Sequence, residues 1–271
     1  MQKELLNAKG LKIVFDKKTI VQDIDISIKE GEIIGLIGPS GSGKTTIIRA
    51  MIGNIKANEG QLYAFDTLLP SIKVCDKIGY MAQTDALYED LSGYENLLFF
   101  GRLYNIKEKE LKEKIKEVLE LTHLAEDAKK IVFKYSGGMK RRLSMAISWL
   151  HNPQLLILDE PTVGLDPNLR NEFKELFKKL ANEGKAILKT THVMEEVLDC
   201  DILYMLREGK IIAKGTPKEL IEKYGDLEKA FISFCQNNWQ LTINEELEKP
   251  HIFILKKRGW KLCVLWLLQK E

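Results

Sequence analysis

The hydrophobic positions of this chain follow two strand-like patterns. Ile24, Ile26 and Ile28 alternate with polar residues, and a period of two is typical of a strand with one buried face. The runs at residues 33–37 and 155–158 are instead apolar throughout or contain a single glycine, which predicts strands buried on both faces, as in a parallel sheet. The sequence therefore predicts an antiparallel and a parallel β region.

Helical spacing appears between and after these runs. Leu111, Ile115, Val118 and Leu119 form an apolar stripe, with lysine and glutamate on the other face. Strands are predicted at residues 12–15, 24–28, 33–37, 61–65, 77–81, 155–158, 186–190, 202–206 and 210–213. Helices are predicted at residues 46–51, 94–104, 108–121, 139–150, 168–182 and 194–198, and from Thr216 onward. Strands that alternate with helices indicate an α/β fold with a mainly parallel sheet.

The pattern divides the chain into two parts. Residues 1–224 form one predicted domain, with a helical insertion at about residues 85–150. Residues 225–271 are an extension of uncertain structure, whose end is basic and rich in tryptophan and leucine. An ordinary C-terminal element or an unstructured end is the preferred interpretation. Contact of an amphipathic tail with a membrane or a membrane protein is the alternative.

Composition restricts the class of protein. The chain has 271 residues, 45% of them hydrophobic, which provides for a sizeable core, and its net charge of +2 is too balanced to indicate a nucleic acid partner. The four cysteines form no Cys-x-x-Cys pair, so a zinc site or a disulfide framework is not expected. We expect no signal peptide, and no apolar run approaches the roughly 18–20 residues of a membrane span. If the chain acts at a membrane, a partner must span it.

A glycine-rich turn between a predicted strand and a predicted helix carries the first candidate chemistry. Glycines let the backbone approach a phosphate chain closely, and successive N–H groups at a helix start then face the anion. Lys44 would bind the β- and γ-phosphates as a point charge, and the Thr45 hydroxyl would bind Mg²⁺. An ordinary Gly/Ser turn is the alternative. The candidate nucleotide-binding residues are Gly38, Pro39, Ser40, Gly41, Ser42, Gly43, Lys44, Thr45 and Thr46.

Two adjacent acids follow the apolar strand at residues 155–158. In an open α/β sheet, ligands bind at the carboxyl ends of the strands, beside the phosphate loop. Asp159 suits a metal-binding role, and Glu160 suits a general base or a group that orients the attacking water. Adjacent acids at a strand end are also common in solvated turns, so this pair alone leaves both interpretations open.

Further short motifs give the chain a resemblance to a known family. YSGGM at residues 135–139 is similar to the family signature LSGGQ, GYMAQ ends at Gln83, GLDP includes Asp166, and TTH ends at His192. Together with the phosphate loop and LLILDE, which ends at Glu160, these motifs resemble the ATP-binding subunit of an ABC transporter in their order and spacing. The resemblance extends over roughly residues 11–224.

The resemblance implies a fold and an activity. The fold is a P-loop NTPase core of the α/β class, with a mainly parallel sheet, an antiparallel β subdomain and a helical subdomain. The activity is hydrolysis of ATP with Mg²⁺, in which Glu160 and His192 are catalytic. Phe15 lies where the family places an aromatic that stacks on adenine, and an ordinary core position is an equal alternative. Gln83 binds the nucleotide and its metal, and the implied metal ligands are Thr45, Gln83 and Asp159.

The resemblance also implies partners. Two such chains, expected to be identical, bind head to tail, and each completes the site of the other with its Ser136, Gly137, Gly138 and Asp166. A membrane-spanning permease contacts the helical insertion. The chain is therefore expected in the cytoplasm, peripheral to the inner face of the cell membrane, and no nucleic acid partner is expected.

Three positions depart from the family pattern. Met139 and Tyr135 replace the usual glutamine and leucine of the signature, and neither removes the amides of Ser136 and its two glycines. Ala82 replaces a frequent proline before Gln83, so we expect a slightly looser loop there.

The branch of the family and the partner rest on weaker signals. SGGMKRRL at residues 136–143 and ENL at residues 95–97 resemble the ABC-2 exporters. The alternative is a soluble ATPase of the same fold that acts on a non-membrane partner such as the ribosome, although such proteins usually carry two cassettes. A purely regulatory nucleotide-binding module is disfavoured by the complete set of Lys44, Asp159, Glu160 and His192. The sequence names neither the transported substrate nor the direction of transport.

Overall fold

Two β-sheets and a layer of helices build the part of the chain that the structure describes. The computed structural model describes residues 3–227 and residue 229. The strands are β1 (Glu4–Phe15), β2 (Lys18–Lys29), β3 (Ile33–Ile37), β4 (Glu59–Ala64), β5 (Thr67–Leu68), β6 (Ile78–Met81), β7 (Leu155–Asp159), β8 (Ala186–Thr191), β9 (Ile202–Arg207) and β10 (Lys210–Gly215). The α-helices are α1 (Lys44–Met51), α2 (Gly93–Leu103), α3 (Glu108–Leu121), α4 (Gly137–Trp149), α5 (Pro167–Asn182) and α6 (Pro217–Tyr224).

The first sheet is antiparallel, with the strand order β2-β1-β4-β5. Ile24, Ile26 and Ile28 of β2 are buried between exposed or half-buried neighbours, as the alternation predicts. The predicted strands at residues 12–15 and 24–28 are too short, because β1 and β2 each run for 12 residues. Register shifts along their pairing interrupt the period of two, so only part of each strand shows a clean alternation.

The second sheet is mainly parallel, with the strand order β10-β9-β3-β8-β7-β6. Only the pairing of β9 with β10, at one edge, is antiparallel. Every residue of β3, β7 and β8 is buried, as expected for strands covered on both faces. The mainly parallel α/β architecture and the antiparallel β region are both confirmed.

The helical insertion has a hydrophobic core of its own. Leu111, Ile115, Val118 and Leu119 are the buried residues of α3, and the helix has the predicted bounds. They pack with Leu97 of α2 and with apolar residues of α4, in a cluster separate from the core beneath the two sheets. The hydrophobic stripe of α3 therefore holds three helices together.

Some predicted helices differ from those observed. Helix α1 begins at Lys44 rather than at residue 46, so the last residues of the glycine-rich turn already belong to it. The helix predicted at residues 194–198 is a short 3₁₀ turn, Met194–Val197, because only one turn separates β8 from the loop before β9. Further 3₁₀ turns lie at Ile72–Val74 and Val132–Lys134.

The predicted extension at residues 225–271 lies almost entirely outside the described residues, and its role stays a prediction. Within the described part of the chain, no helix combines the length and the apolar character needed to cross a bilayer.

A half-buried histidine joins the helical layer to the parallel sheet. His151 follows α4, and its ring stacks on Tyr104 at the end of α2, with 3.8 Å between ring centroids. Its Nε2 is 3.1 Å from the carbonyl oxygen of Ile78 in β6. Burial lowers the pKa of His151 from 6.5 to about 4, although the bond to Ile78 acts in the opposite direction. Protonation of this ring therefore opposes the packing of helices on sheet.

The first prediction concerns stability at mildly acidic pH. Because the pKa of His151 is lower in the folded than in the unfolded chain, its contribution is complete above about pH 6.5 and is lost as the pH falls toward 4. Between about pH 7 and pH 5, the free energy of unfolding of the wild type, measured in urea, should fall by about 1–2 kcal/mol, a range that is reduced for the partial solvent exposure of the ring. The His151→Phe variant should not show this fall. Phenylalanine keeps the stacking and cannot titrate. The control is His123→Phe, at an exposed histidine. The free energy of unfolding of this variant should fall between pH 7 and pH 5 as that of the wild type does. An unchanged pH slope in His151→Phe would contradict the assignment.

Candidate functional site

The carboxyl ends of the parallel strands meet at one edge of the second sheet and border a cleft. In register, Ile37 of β3 lies beside Thr191 of β8, and Asp159 of β7 lies beside Thr190 of β8. Ligands bind at this edge in open α/β sheets. The cleft has a volume of about 260 Å³. It is lined by Ile20, Ser40, Gly41, Gly43, Lys44, Thr45, Thr46, Gln83 and Glu160.

A larger cavity, of about 580 Å³, lies between α3 and α5. Its lining includes Leu121, Leu169 and Leu176 and is mostly apolar. None of its lining residues belongs to the glycine-rich turn or to the carboxyl end of a parallel strand. The smaller cleft at the sheet edge is therefore the better candidate for chemistry.

The N-terminus of α1 is available to an anion. Side chains of Ser92, Ser136, Asp166 and Thr216 cap the helices α2, α4, α5 and α6. Among the described residues no side chain caps α1 or α3, and of these two helices only α1 begins at the cleft. The first N–H groups of a helix have no acceptor within it, and the helix dipole favours negative charge there. A phosphate chain therefore fits this terminus.

The glycines of the turn satisfy two different constraints. Gly41 and Gly43 have φ values of 80° and 105°, in the left-handed region that other residues avoid. A Cβ atom at Gly41 would meet nothing within 4 Å, so the space in front of the turn is open. A Cβ atom at Gly38 would instead lie 2.3 Å from the carbonyl oxygen of Leu206. The backbone thus forms a concave turn against the sheet, and its open side faces the cleft.

Lys44 is held at the floor of this turn. Its side chain is 7% exposed, and its Nζ donates to the carbonyl oxygens of Gly38 at 2.7 Å and Pro39 at 3.1 Å. Burial lowers the pKa of the Lys44 ammonium, and the nearby carboxylates of Glu160 and Asp159 counteract part of that effect. A desolvated ammonium attracts a phosphate more strongly than a hydrated one does.

Two hydroxyl groups bind the carboxylate of Asp159, which is only 1% exposed. Thr45 at the start of α1 donates to Oδ2 at 3.1 Å, and Thr190 of β8 donates to Oδ1. A buried carboxylate requires such donors, and these two come from different elements. The paired oxygens of Thr45 and Asp159 are the hard donors that Mg²⁺ prefers, so this corner of the cleft fits the predicted metal.

Glu160 has a strained backbone and a side chain that faces the cleft. Its φ of 51° is unusual for a residue with a Cβ atom and is typical of functional positions. One carboxylate oxygen is 3.3 Å from the side-chain nitrogen of Gln83, and the other is 3.3 Å from Nδ1 of His192. The backbone N–H of Glu160 donates to the hydroxyl of Thr190 at 3.0 Å. The structure therefore brings Glu160, Gln83 and His192 together, as the motifs predict.

Other predicted site residues lie elsewhere in the same chain. Ser136, Gly137 and Gly138 are not among the residues that line the cleft, and the Ser136 hydroxyl accepts from the N–H of Met139 as the cap of α4. Asp166 likewise caps α5, through the N–H of Leu169. The assignment of these residues to the site of a second chain stays a prediction.

Phe15 ends β1 and is 44% exposed, so the alternative of an ordinary core position is wrong. It does not line the cleft, whereas Ile20 of β2 does. Its contact with an adenine stays a prediction.

Two residues of the site were not singled out from the sequence. Thr190 binds both the carboxylate of Asp159 and the N–H of Glu160, and Arg141 binds the backbone of the same two residues. The position of Thr190 at the end of a predicted buried strand was the signal that could have marked it as a site residue. For Arg141, no local pattern distinguishes this buried arginine from its half-buried neighbours Lys140 and Arg142 on the same helix.

Comparisons with known proteins agree with this geometry. A family model described as "ABC transporter" matches residues 21–163. The chain is similar to the linearmycin resistance ATP-binding protein LnrL of Bacillus subtilis, with 40% identity over 224 residues, which is 82% of this chain and 72% of that protein. It is also similar to the Nod factor export ATP-binding protein I of Bradyrhizobium diazoefficiens, with 39% identity over 218 residues, which is 79% of this chain and 71% of that protein.

A solved structure described as the ATP-binding subunit of an ABC transporter has the same fold. It is 26% identical to this chain, with a TM-score of 0.79, and the match covers 85% of this chain and 99% of that one. The fold similarity thus extends well beyond the residues that the family model matches.

The second prediction tests the buried hydrogen bonds around Asp159. Thr190→Val leaves an oxygen of Asp159 and the N–H of Glu160 without this partner, and each such loss costs about 1–3 kcal/mol. Thr190→Ser keeps the hydroxyl and removes only a methyl group, at a cost of about 1 kcal/mol. Urea unfolding should therefore rank the stabilities wild type, serine, valine. Equal stability of the valine and serine variants would show that the hydroxyl contributes nothing.

Proposed function

The chain belongs to the ABC transporter family and is an ATP-hydrolysing subunit of that family; on this premise, we propose that it powers export across a membrane by closing and opening a dimer around ATP. The observation that carries the proposal is the position of Glu160. Its carboxylate faces the cleft between Gln83 and His192, in the same cleft as Lys44 and the glycine-rich turn.

The cleft supports binding of the ATP phosphates through backbone and ammonium groups. The uncapped N-terminus of α1 and the turn with Gly41 and Gly43 present N–H groups to the phosphates. Lys44 exchanges the carbonyls of Gly38 and Pro39 for phosphate oxygens. Thr45 and Asp159 would hold Mg²⁺, which, when bound, neutralises charge that develops on the phosphates.

Glu160 is the proposed general base for hydrolysis. Its carboxylate accepts a proton from the attacking water, and the bonds from Gln83 and His192 fix the direction in which the carboxylate faces. The left-handed backbone of Glu160 places this side chain off the line of β7 and over the cleft.

A second chain completes the proposed site. The N-terminus of α4 presents the N–H groups of Gly137 and Gly138, and nothing lies within 4 Å of a Cβ atom built at Gly137. In a head-to-tail dimer this helix N-terminus would cover the γ-phosphate bound by the partner chain, and Asp166 would lie at the same interface. A homodimer is the simplest such assembly.

The export role and the membrane partner are inferred from the relatives. One relative is named for export of Nod factor and another for linearmycin resistance. These names favour an exporter over a soluble ATPase that acts on the ribosome. A membrane-spanning permease would then be the partner, and the chain would lie on the cytoplasmic face of the cell membrane.

The third prediction is that Glu160→Gln binds ATP and forms a dimer that hydrolyses ATP slowly. The amide cannot accept the proton of the water, so the turnover number should fall by about 10²–10⁴-fold. Phosphate release measures the rate, and light scattering after size-exclusion chromatography measures the dimer with ATP and Mg²⁺.

The matched control is Glu126→Gln, which removes a carboxylate from an exposed position of the helical insertion and should keep the wild-type rate. Wild-type turnover in Glu160→Gln would refute the role of Glu160. A slow variant that stays monomeric with ATP would refute the dimer.

A further inference from the structure

A buried arginine links the helical insertion to the cleft. Arg141 lies in α4, five residues after the cap residue Ser136, and is only 5% exposed. A guanidinium remains charged at all relevant pH values, so its burial is costly unless acceptors surround it. The groups that accept hydrogen bonds from Arg141 therefore show which chain segments this residue holds together.

One terminal nitrogen of Arg141 holds the loop that follows β6. Nη1 donates to the carbonyl oxygens of Ala82 at 2.8 Å and Gln83 at 3.0 Å, and it lies 3.3 Å from Oδ1 of Asp85. The same oxygen of Asp85 accepts a bond of 2.7 Å from the hydroxyl of Ser144, one turn further along α4. This loop is thus attached to α4.

The other terminal nitrogen holds the end of β7. Nη2 donates to the carbonyl oxygen of Asp159 and, at 2.6 Å, to that of Glu160. Glu160 is the residue with a left-handed backbone, and Thr190 binds its N–H from the other side. The strained peptide that directs the Glu160 carboxylate is therefore held between Arg141 and Thr190.

The fork of the guanidinium explains why arginine occupies this position. Its two terminal nitrogens diverge in one plane, so one group binds two chain segments that are far apart in sequence. A lysine ammonium is a single point donor and cannot bind both segments with the same geometry. Arg141 makes no contact with the glycine-rich turn among its hydrogen bonds in the described structure, so its role concerns Gln83 and Glu160 and not the phosphate cradle.

We propose that Arg141 is a positioning residue that fixes Gln83 and Glu160 relative to each other and couples both to α4, the helix that Ser136 caps. The inference rests on the proposed role of Glu160 in ATP hydrolysis. Movement of the helical insertion then displaces the Gln83 loop and the Glu160 peptide together. The alignment of the catalytic carboxylate depends on how α4 sits against β6 and β7.

The neighbouring Arg142 provides a matched control. It lies on the same helix and donates to the carbonyl oxygens of Thr122 at 3.1 Å and His123 at 2.8 Å, just beyond the end of α3. Both arginines thus bind backbone carbonyls, but only Arg141 binds those of the cleft residues Gln83 and Glu160. Removal of Arg142 affects the packing of the insertion without a direct effect on Glu160.

The test compares Arg141→Met, Arg141→Lys and Arg142→Met with the wild type. We expect Arg141→Met to lower kcat for ATP hydrolysis by about 10²-fold, the effect of a small misplacement of a catalytic group, with KM nearly unchanged. Its affinity for a fluorescent ATP analogue without Mg²⁺ should equal that of the wild type, because the Lys44 cradle is intact. Arg141→Lys should recover part of kcat, and Arg142→Met should keep the wild-type kcat.

Melting temperatures separate a positioning role from a structural one. A wild-type kcat in Arg141→Met would overturn the proposal, and so would equal losses of kcat and melting temperature in the two methionine variants. If Arg141→Met does not fold, Arg141→Lys serves as the test, and a wild-type kcat in that variant would overturn the proposal. Absence of hydrolysis by the wild type in the same assay would instead refute the proposed function.

Discussion

The buried carboxylate of Asp159 is the interaction on which the rest of the site depends. A negative charge at 1% exposure must be stabilised by donors, and the donors are Thr45 at the start of α1 and Thr190 of β8. These bonds fix the phosphate-binding helix against the strand that delivers Glu160. The same two oxygens, from Thr45 and Asp159, are the ones that suit Mg²⁺. One charge thus organises both the structure and the chemistry of the cleft.

The direction of the strands explains why these groups meet. Strands β3, β6, β7 and β8 are parallel, so the glycine-rich turn, Gln83, Asp159 and Thr191 all lie at or just after carboxyl ends on one edge of the sheet. The helical insertion leaves the sheet at this edge, after β6, and the chain returns at the opposite edge, where β7 begins beside the start of β6. Arg141 in α4 binds backbone carbonyls at the carboxyl ends of both β6 and β7. The parallel sheet therefore joins nucleotide chemistry to the element that is proposed to contact a permease.

Much of this could be predicted from the sequence, because the signals are local. The apolar stripe of α3 has helical spacing, the short apolar runs of β3 and β7 are typical of buried strands, and the glycine-rich turn has a specific pattern. The lengths of β1 and β2 were missed because register shifts disturb their alternation. Arg141 was missed because its partners lie 18 to 59 residues away in sequence and all but the Asp85 carboxylate are backbone carbonyls, which leave no trace in side-chain patterns.

The central claim is that this cleft is half of an ATP-hydrolysing site and that a second copy supplies the other half. Mixing two inactive chains, Lys44→Ala and Ser136→Arg, tests it most directly. In a mixed head-to-tail dimer, one of the two sites combines an intact Lys44 with an intact Ser136, so the mixture should hydrolyse ATP although each variant alone does not. A chain with both substitutions, mixed with either single variant, should stay inactive. No recovery of hydrolysis in the mixture of single variants would contradict the account.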